Sequence, residues 1–270
     1  MRLGVSISLA GDEAAGGKDY VTGLGLAERT GFDSLWFFDS LGRGSFRPDP
    51  LSAMSAAAAV TERIEIGSCI LQVPLRHPME LAHRILSAHF LSEGRLLLGV
   101  GAGSTETDFA AVEADFQSRF RTLVEALPIM QSLWRGETVR NVNLTPLPSA
   151  RGGPPILIGS WAGSRWIPIA AKRYDGWIAS AHFTNIATLK EGVARYRGEG
   201  GGRAIATNIP VDLTVDSTTL SDDDHFDLRC EPEEAAVRLA KLAEIGFDDA
   251  VVTVSTITEE HMAAVRALYP

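Results

Sequence analysis

The residues whose types suit chemistry fall in three short segments and two single positions. Leu98-Gly99-Val100-Gly101-Ala102-Gly103 runs from an apolar strand into glycines, where backbone bends tightly or lets a flat ring come close. It meets the dinucleotide fingerprint only loosely, because the third glycine is missing and no helix follows at once. A plain strand-end turn is the competing reading. Gly159-Ser160-Trp161-Ala162-Gly163-Ser164-Arg165 leads into a helical pattern, and backbone N–H groups at a helix start, a hydroxyl and an arginine suit a phosphate. An ordinary N-cap by Ser164 suits the same letters. In Ile66 to Pro78 a strand end passes into a loop stiffened by two prolines, with Pro78 at a tolerated first-turn position and His77 as a loop hydrogen-bonder. The single positions are Asp39 and His182. Each stands at a strand end as a candidate acid or base, and a neutral imidazole at 182 can donate to a cofactor or substrate oxygen.

Other chemistries lack their residues. His83 and His89 are six apart on one predicted helix and so face different ways, which makes them structural rather than a metal pair. The only cysteines, Cys69 and Cys230, support neither a disulfide framework nor a zinc site, and no metal is expected. The four lysines, Lys18, Lys172, Lys190 and Lys241, fall on predicted helices or loops, so no Schiff-base lysine stands at a strand end.

The elements that must position these residues repeat as strand then helix. The pattern predicts strands at Arg2 to Leu9, Ser34 to Phe38, Ile64 to Leu71, Leu96 to Gly101, Ile156 to Gly159, Gly176 to Ala181, Ile205 to Val215 and Ala250 to Val254. Helices follow at Asp19 to Arg29, Pro50 to Val60, Met79 to Leu91, Arg119 to Trp134, Ser164 to Arg173, Ile186 to Tyr196, Pro232 to Ile245 and Glu259 to Leu268. Eight such units demand parallel pairing, and their number favours a single closed (β/α)8 TIM barrel over 1–270 against an open doubly wound sheet. In a barrel the site lies at the C-terminal strand ends: Ser8 to Ala10, Phe37 to Asp39, Cys69 to Gln72, Gly101 to Gly103, Gly159 to Trp161, Ser180 to His182, Thr214-Val215 and Thr253 to Ser255. That mouth is apolar, aromatic and hydroxyl-rich. Two segments exceed tight loops: Arg135 to Pro155, with a hairpin-like stretch at Thr138 to Leu144, and Asp216 to Arg229, which reads as a surface loop or lid.

A formal net charge of -9 without a basic tract argues against a nucleic-acid surface. The start, Met1-Arg2-Leu3-Gly4-Val5, alternates like a strand and resembles no signal peptide, and no run of about 18 apolar residues occurs. A cytoplasmic protein without a membrane partner is the expectation.

Taken in order, several segments resemble the bacterial luciferase-like monooxygenase family. They are Ala27 to Trp36 (AERTGFDSLW), Thr61 to Gly67 (TERIEIG), Arg76 to Ala82 (RHPMELA), Leu91 to Gly103 (LSEGRLLLGVGAG), Pro154 to Gly159 (PPILIG) and Tyr174 to Trp177 (YDGW). Their combination over most of the chain is specific where each alone is not. The resemblance implies an eight-stranded barrel binding FMN, or the deazaflavin coenzyme F420, over the strand ends. It implies a non-prolyl cis peptide at Ser68-Cys69 or Cys69-Ile70 supporting one ring face, cofactor-lining positions at Ala102, Gly103 and Ser104, and a phosphate turn at Trp161, Ala162, Gly163 and Ser164, next to Gly159 and Ser160. The sugar-phosphate dehydrogenase branch carries His and Glu where this chain has Ser40 and Ser104, which argues against that substrate. The family's long lid insertion is abbreviated here, with Leu41 to Phe46 and Asp216 to Arg229 in its place. The main expectation is therefore an FMN-dependent monooxygenase using O2, a small organic substrate and reduced flavin from a separate reductase, and forming a homodimer. The alternative is F420-dependent hydride transfer. A flavin-binding protein without catalysis is a third reading, and a phosphate-sugar lyase is disfavoured by the missing lysine and metal ligands.

Overall fold

A computed structural model describes residues 1–9, 16–41, 43–44 and 46–270. Along the chain the elements are β1 (Arg2–Ile7), α1 (Gly17–Arg29), β2 (Ser34–Phe37), α2 (Pro50–Val60), β3 (Glu65–Ser68), β4 (Leu71–Gln72), α3 (Pro78–Leu91) and β5 (Leu96–Gly101). They continue with α4 (Glu106–Ala110), α5 (Arg119–Trp134), β6 (Ile156–Gly159), α6 (Ile167–Arg173), β7 (Gly176–Ser180), α7 (Ile186–Gly198), β8 (Arg203–Asp212), β9 (Leu228–Arg229), α8 (Pro232–Ile245), β10 (Asp249–Val254) and α9 (Glu259–Arg266). The sheet runs β10-β1-β2-β3-β5-β6-β7-β8, and β8 pairs β10 in addition. That cyclic order is a (β/α)8 barrel. The chain divides into two compact units, Met1–Trp36 with Ile156–Pro270, and Phe37–Pro155.

In the first unit a recurring aspartate starts the strands. Asp33 accepts the Leu3 N–H at 2.8 Å, Asp175 the Ile156 N–H at 2.7 Å and Asp248 the Ala204 N–H at 2.6 Å. In each case a carboxylate just before one strand satisfies a donor within the first two residues of the strand beside it. The motifs GFDS, YDG and GFDD are that device written in sequence. The buried faces carry Val5, Leu35, Ile158, Trp177, Ile205 and Val252, and Arg203 pairs with the fully buried Asp249 at 2.7 Å.

In the second unit Arg95 ties α2 to the strand that follows it. Its guanidinium donates to the carbonyls of Ala58, Thr61 and Ile64, to the Thr61 hydroxyl and to the Ser92 carbonyl. These are acceptors that a helix end leaves open. The hairpin-like stretch is a two-residue turn in which Val139 and Val142 exchange both backbone hydrogen bonds at 2.9 Å, with positive φ at Arg140 and Asn141.

Several expected boundaries shift. The strand expected over Ile64 to Leu71 is interrupted between β3 and β4, where the Cys69-Ile70 peptide is cis. β8 stops at Asp212 rather than Val215, because the Asp212 carboxylate turns the chain by accepting the Thr214 N–H and hydroxyl. The expected helix start at Ser164 is corrected to Ile167. Asp216 to Arg229 is not a free loop: β9 pairs with Val211 and Asp212, Phe226 and Leu228 are buried, and Arg238 donates to Asp227 and to the Thr218 carbonyl. The end of strand one at Ala10, and Gly42 and Ser45 of the expected short lid, lie outside the described residues.

Candidate functional site

In the second unit the ends of β2, β4 and β5 carry a chain of polar side chains. Asp39, directly after Phe38, receives both guanidinium arms of Arg76 at 2.6 and 3.0 Å and the Gln72 N–H at 2.8 Å. A carboxylate so engaged is a structural anchor before it is a base. The Gln72 amide donates to the Asp39 carbonyl at 3.0 Å and to Asp108 at 2.9 Å, and Arg43 meets Asp108 at 2.5 Å. Asp108 is fully buried. Burial alone would raise its carboxyl, but the bonds from Arg43 and Gln72, with the Leu41 N–H, outweigh that and hold it below the usual range. No sequence signal singled out Arg43, Gln72 or Asp108, since their pairing spans 36 to 65 residues.

The ring-platform candidates differ in access. Ser68 is fully buried and gives its hydroxyl to the Gly99 carbonyl at 2.8 Å, which makes it a strand tie. Cys69 is buried, and burial pushes its thiol up. Ala102 is also buried, whereas Ile70 and Gly103 are half-buried and Ser104 is exposed. Ile70, beyond the cis peptide, and the turn at Gly103 therefore present this edge. Gly103 has φ +82°, and a Cβ there would stand 2.5 Å from Gln72 Oε1 and 2.9 Å from the Phe109 ring. Gln72 Oε1 is buried and has no hydrogen-bond partner among the described residues.

In the first unit the Gly159 to Ser164 segment is a compact turn. Ser160 takes the Trp177 indole N–H on its hydroxyl at 3.0 Å, the Ser164 N–H goes to the Trp161 carbonyl at 2.9 Å, and the Ser164 hydroxyl accepts the Trp166 N–H at 3.1 Å. With Trp166 as the N-cap of α6, Ser164 belongs to the turn and not to the helix. Ala162 packs under it against Gly192 of α7, where a Cβ would come within 2.7 Å. Trp161 is 60% exposed, and Gly163 is exposed beside it.

The next two strand ends in this unit hold groups the sequence reading passed over. β8 bulges: Ala206 faces Ala250 while Ile209 faces Val252, so three steps on β8 match two on β10. Asn208 sits in the bulge with φ +60° and donates to the Ser180 hydroxyl at 3.0 Å. An asparagine inside an apolar strand run was the available signal, because that residue is depleted in strands. His182 is exposed after β7, with the Phe183 ring at 4.7 Å and the His225 ring at 6.4 Å, both edge-on. Among the described residues no cluster of three or more His, Cys, Asp or Glu side chains is placed to hold a metal ion, and no helix is long and apolar enough to cross a membrane.

A family model described as luciferase-like monooxygenase matches residues 1–231. The F420-dependent glucose-6-phosphate dehydrogenase of Beutenbergia cavernae is 28% identical over 268 residues, covering 93% of this chain and 78% of that protein. The enzyme of the same description from Nocardia farcinica is 31% identical over 188 residues, covering 64% of this chain and 56% of that protein. Among solved structures, the monooxygenase RslO1 from Streptomyces bottropensis superposes with a TM-score of 0.80 at 17% identity, covering 99% of this chain and 97% of that one. The oxygenating constituent of 3,6-diketocamphane monooxygenase from Pseudomonas putida, in complex with FMN, follows at 0.78 and 15%, covering 98% and 96%. An F420-dependent secondary alcohol dehydrogenase in complex with an F420-acetone adduct gives 0.75 and 17%, covering 98% and 96%. At these identities the likeness carries the (β/α)8 fold.

Proposed function

Because the chain belongs to the luciferase-like monooxygenase family, and is an oxidoreductase of that family, we propose that it transfers hydride between coenzyme F420 and a small alcohol or carbonyl substrate. The observation that carries this reading is the cofactor in the names of the two curated relatives, both F420-dependent, at 28% and 31% identity. The FMN-bound neighbour is 15% identical and speaks for the fold alone.

The residues present fit a flat ring with a phosphate-bearing tail. Gly103 lets the turn close onto Gln72 and Phe109, whose side chains already take the space of a Cβ, while Gln72 Oε1 is left unpaired and the half-buried Ile70 lies beyond the cis peptide. Within the second unit Ile70, Gly103 and Ser104 would face a ring, and within the first the turn at Trp161 to Ser164 would suit a phosphate. When bound, a deazaflavin supplies a two-electron hydride acceptor or donor. In the second unit the Asp39–Gln72–Asp108 network would hold Ile70 and Gly103 in place; in the first, Ser180 and Asn208 carry hydroxyl and amide groups that would suit a substrate oxygen. Ser40 and Ser104, at positions where the sugar-phosphate branch has His and Glu, direct the substrate away from sugar phosphates.

Titration of the purified protein with F420 and with FMN, each followed by its fluorescence, tests the reading. We expect F420 to bind and to be reduced when alcohol is added, without oxygen. A protein that binds only FMN, and speeds reoxidation of reduced FMN by O2, is instead the monooxygenase of the second reading, served by a separate reductase. The description of the matching family model, luciferase-like monooxygenase, favours that second reading.

A further inference from the structure

Transfer of hydride from an alcohol leaves a hydroxyl proton to be taken up, and serines at 40 and 104 do not titrate near neutrality. Histidine does. His77 is spent as the N-cap of α3, where its Nδ1 accepts the Met79 N–H, and His89 is buried. His83 and His261 lie on α3 and α9. His182 alone follows a strand end, and a second imidazole, His225, reaches it from 43 residues further on.

Resting on the hydride-transfer reading above, we propose that His182 exchanges the substrate's hydroxyl proton and that His225 is the positioning residue that holds its ring. In the oxidising direction a bound deazaflavin would accept the electron pair of the substrate C–H bond as hydride. The O–H bond breaks with its proton passing to the neutral imidazole of His182, and the carbon–oxygen bond becomes a carbonyl. Carbonyl reduction is the reverse, with the imidazolium as the donor.

His225 is itself fixed. Its backbone bridges to Asn185, the N-cap of α7, while the carbonyls of Asp222 and Asp224 accept the Ala187 and Ile186 N–H groups at 2.9 and 3.0 Å. The segment before β9 thereby caps the helix that starts four residues after His182, and this brings the two rings together. The charges around the pair are already engaged. Asp224, next to His225, accepts the Ser221 N–H and hydroxyl, and Asp222 pairs with Lys190 of α7 at 2.7 Å, with Lys241 of α8 further off.

The test uses propan-2-ol and cyclohexanol as probe substrates with F420. His182→Ala should slow F420 reduction by about 10²–10⁴-fold, the range for loss of one general base. F420 binding, read by fluorescence, should stay unchanged, and added imidazole should restore part of the rate. His225→Ala should lower kcat about tenfold at unchanged KM, within the general-base contribution, and His225→Phe, which keeps a ring against His182, should recover it. In the cofactor-free protein, NMR should show proton contacts between the two imidazoles. Reduction that survives His182→Ala, or rings without such contacts, overturns this step alone. No F420 reduction by the wild type with either alcohol overturns the reading of the preceding subsection and this step with it.

Discussion

Gly103 and Gln72 show how one residue can be decided by its neighbour. At φ +82° a side chain at 103 is strained, and its Cβ would lie 2.5 Å from Gln72 Oε1. Gly103→Ala should cost about 1–3 kcal/mol in denaturant unfolding, the usual charge for forcing a side chain into that backbone region, and should weaken F420 binding besides. A variant as stable as the wild type, with unchanged binding, would remove Gly103 from the ring edge. Asp108 carries a pH signature. Its folded carboxyl is lowered, so the stability it contributes is complete above its ordinary value of 3.8 and is lost as pH falls through the lowered one. Unfolding curves from about pH 6 down to about pH 3 should steepen their loss of stability at the acid end, and Asp108→Asn should flatten it.

At the scale of elements, the segment between β8 and α8 is the clearest case of tertiary structure overriding a local reading. Its run of Ser221-Asp222-Asp223-Asp224 is polar enough for an open loop, yet it ends in Phe226, 2% exposed, and Leu228, fully buried. Phe226→Ala should therefore destabilise the protein by about 3–5 kcal/mol, as other large-to-small core changes do. It should also release His225, so the rate should fall along with stability. Arg95 works the same way on the other unit. Arg95→Ala strips hydrogen bonds from three carbonyls and a hydroxyl near the end of α2 and from the Ser92 carbonyl after α3, and should cost about 2–3 kcal/mol in chemical unfolding. Its place in the segment Ser92-Glu93-Gly94-Arg95 is thus a matter of folding rather than of cofactor binding.

At the scale of the whole molecule, eight strand–helix repeats set the barrel order, and loops at the C-terminal strand ends set the chemistry. The same scaffold holds FMN in one solved neighbour and an F420 adduct in another, so cofactor choice lies in side chains and not in topology. We propose that Ser40 and Ser104 turn this chain away from sugar phosphates. The expectation is that glucose 6-phosphate fails to reduce F420 in its presence while a secondary alcohol succeeds, which a single absorbance assay decides.

Periodicity and turn residues determined the elements, because alternation and helical spacing record which face is buried, and Gly31 or Pro50 marks where a helix stops or starts. The motif order also located a cis peptide to within one residue, and Cys69-Ile70 is the bond that carries it. Sequence spacing could not reveal that Asp39 is held by Arg76, that Ser164 precedes its helix as part of a turn, or that Asn208 stands in a bulge. Nor could it bring His225 to His182. Those are pairings between residues far apart in the chain, made only when parallel strands take their register and carry the segments at their ends to one another.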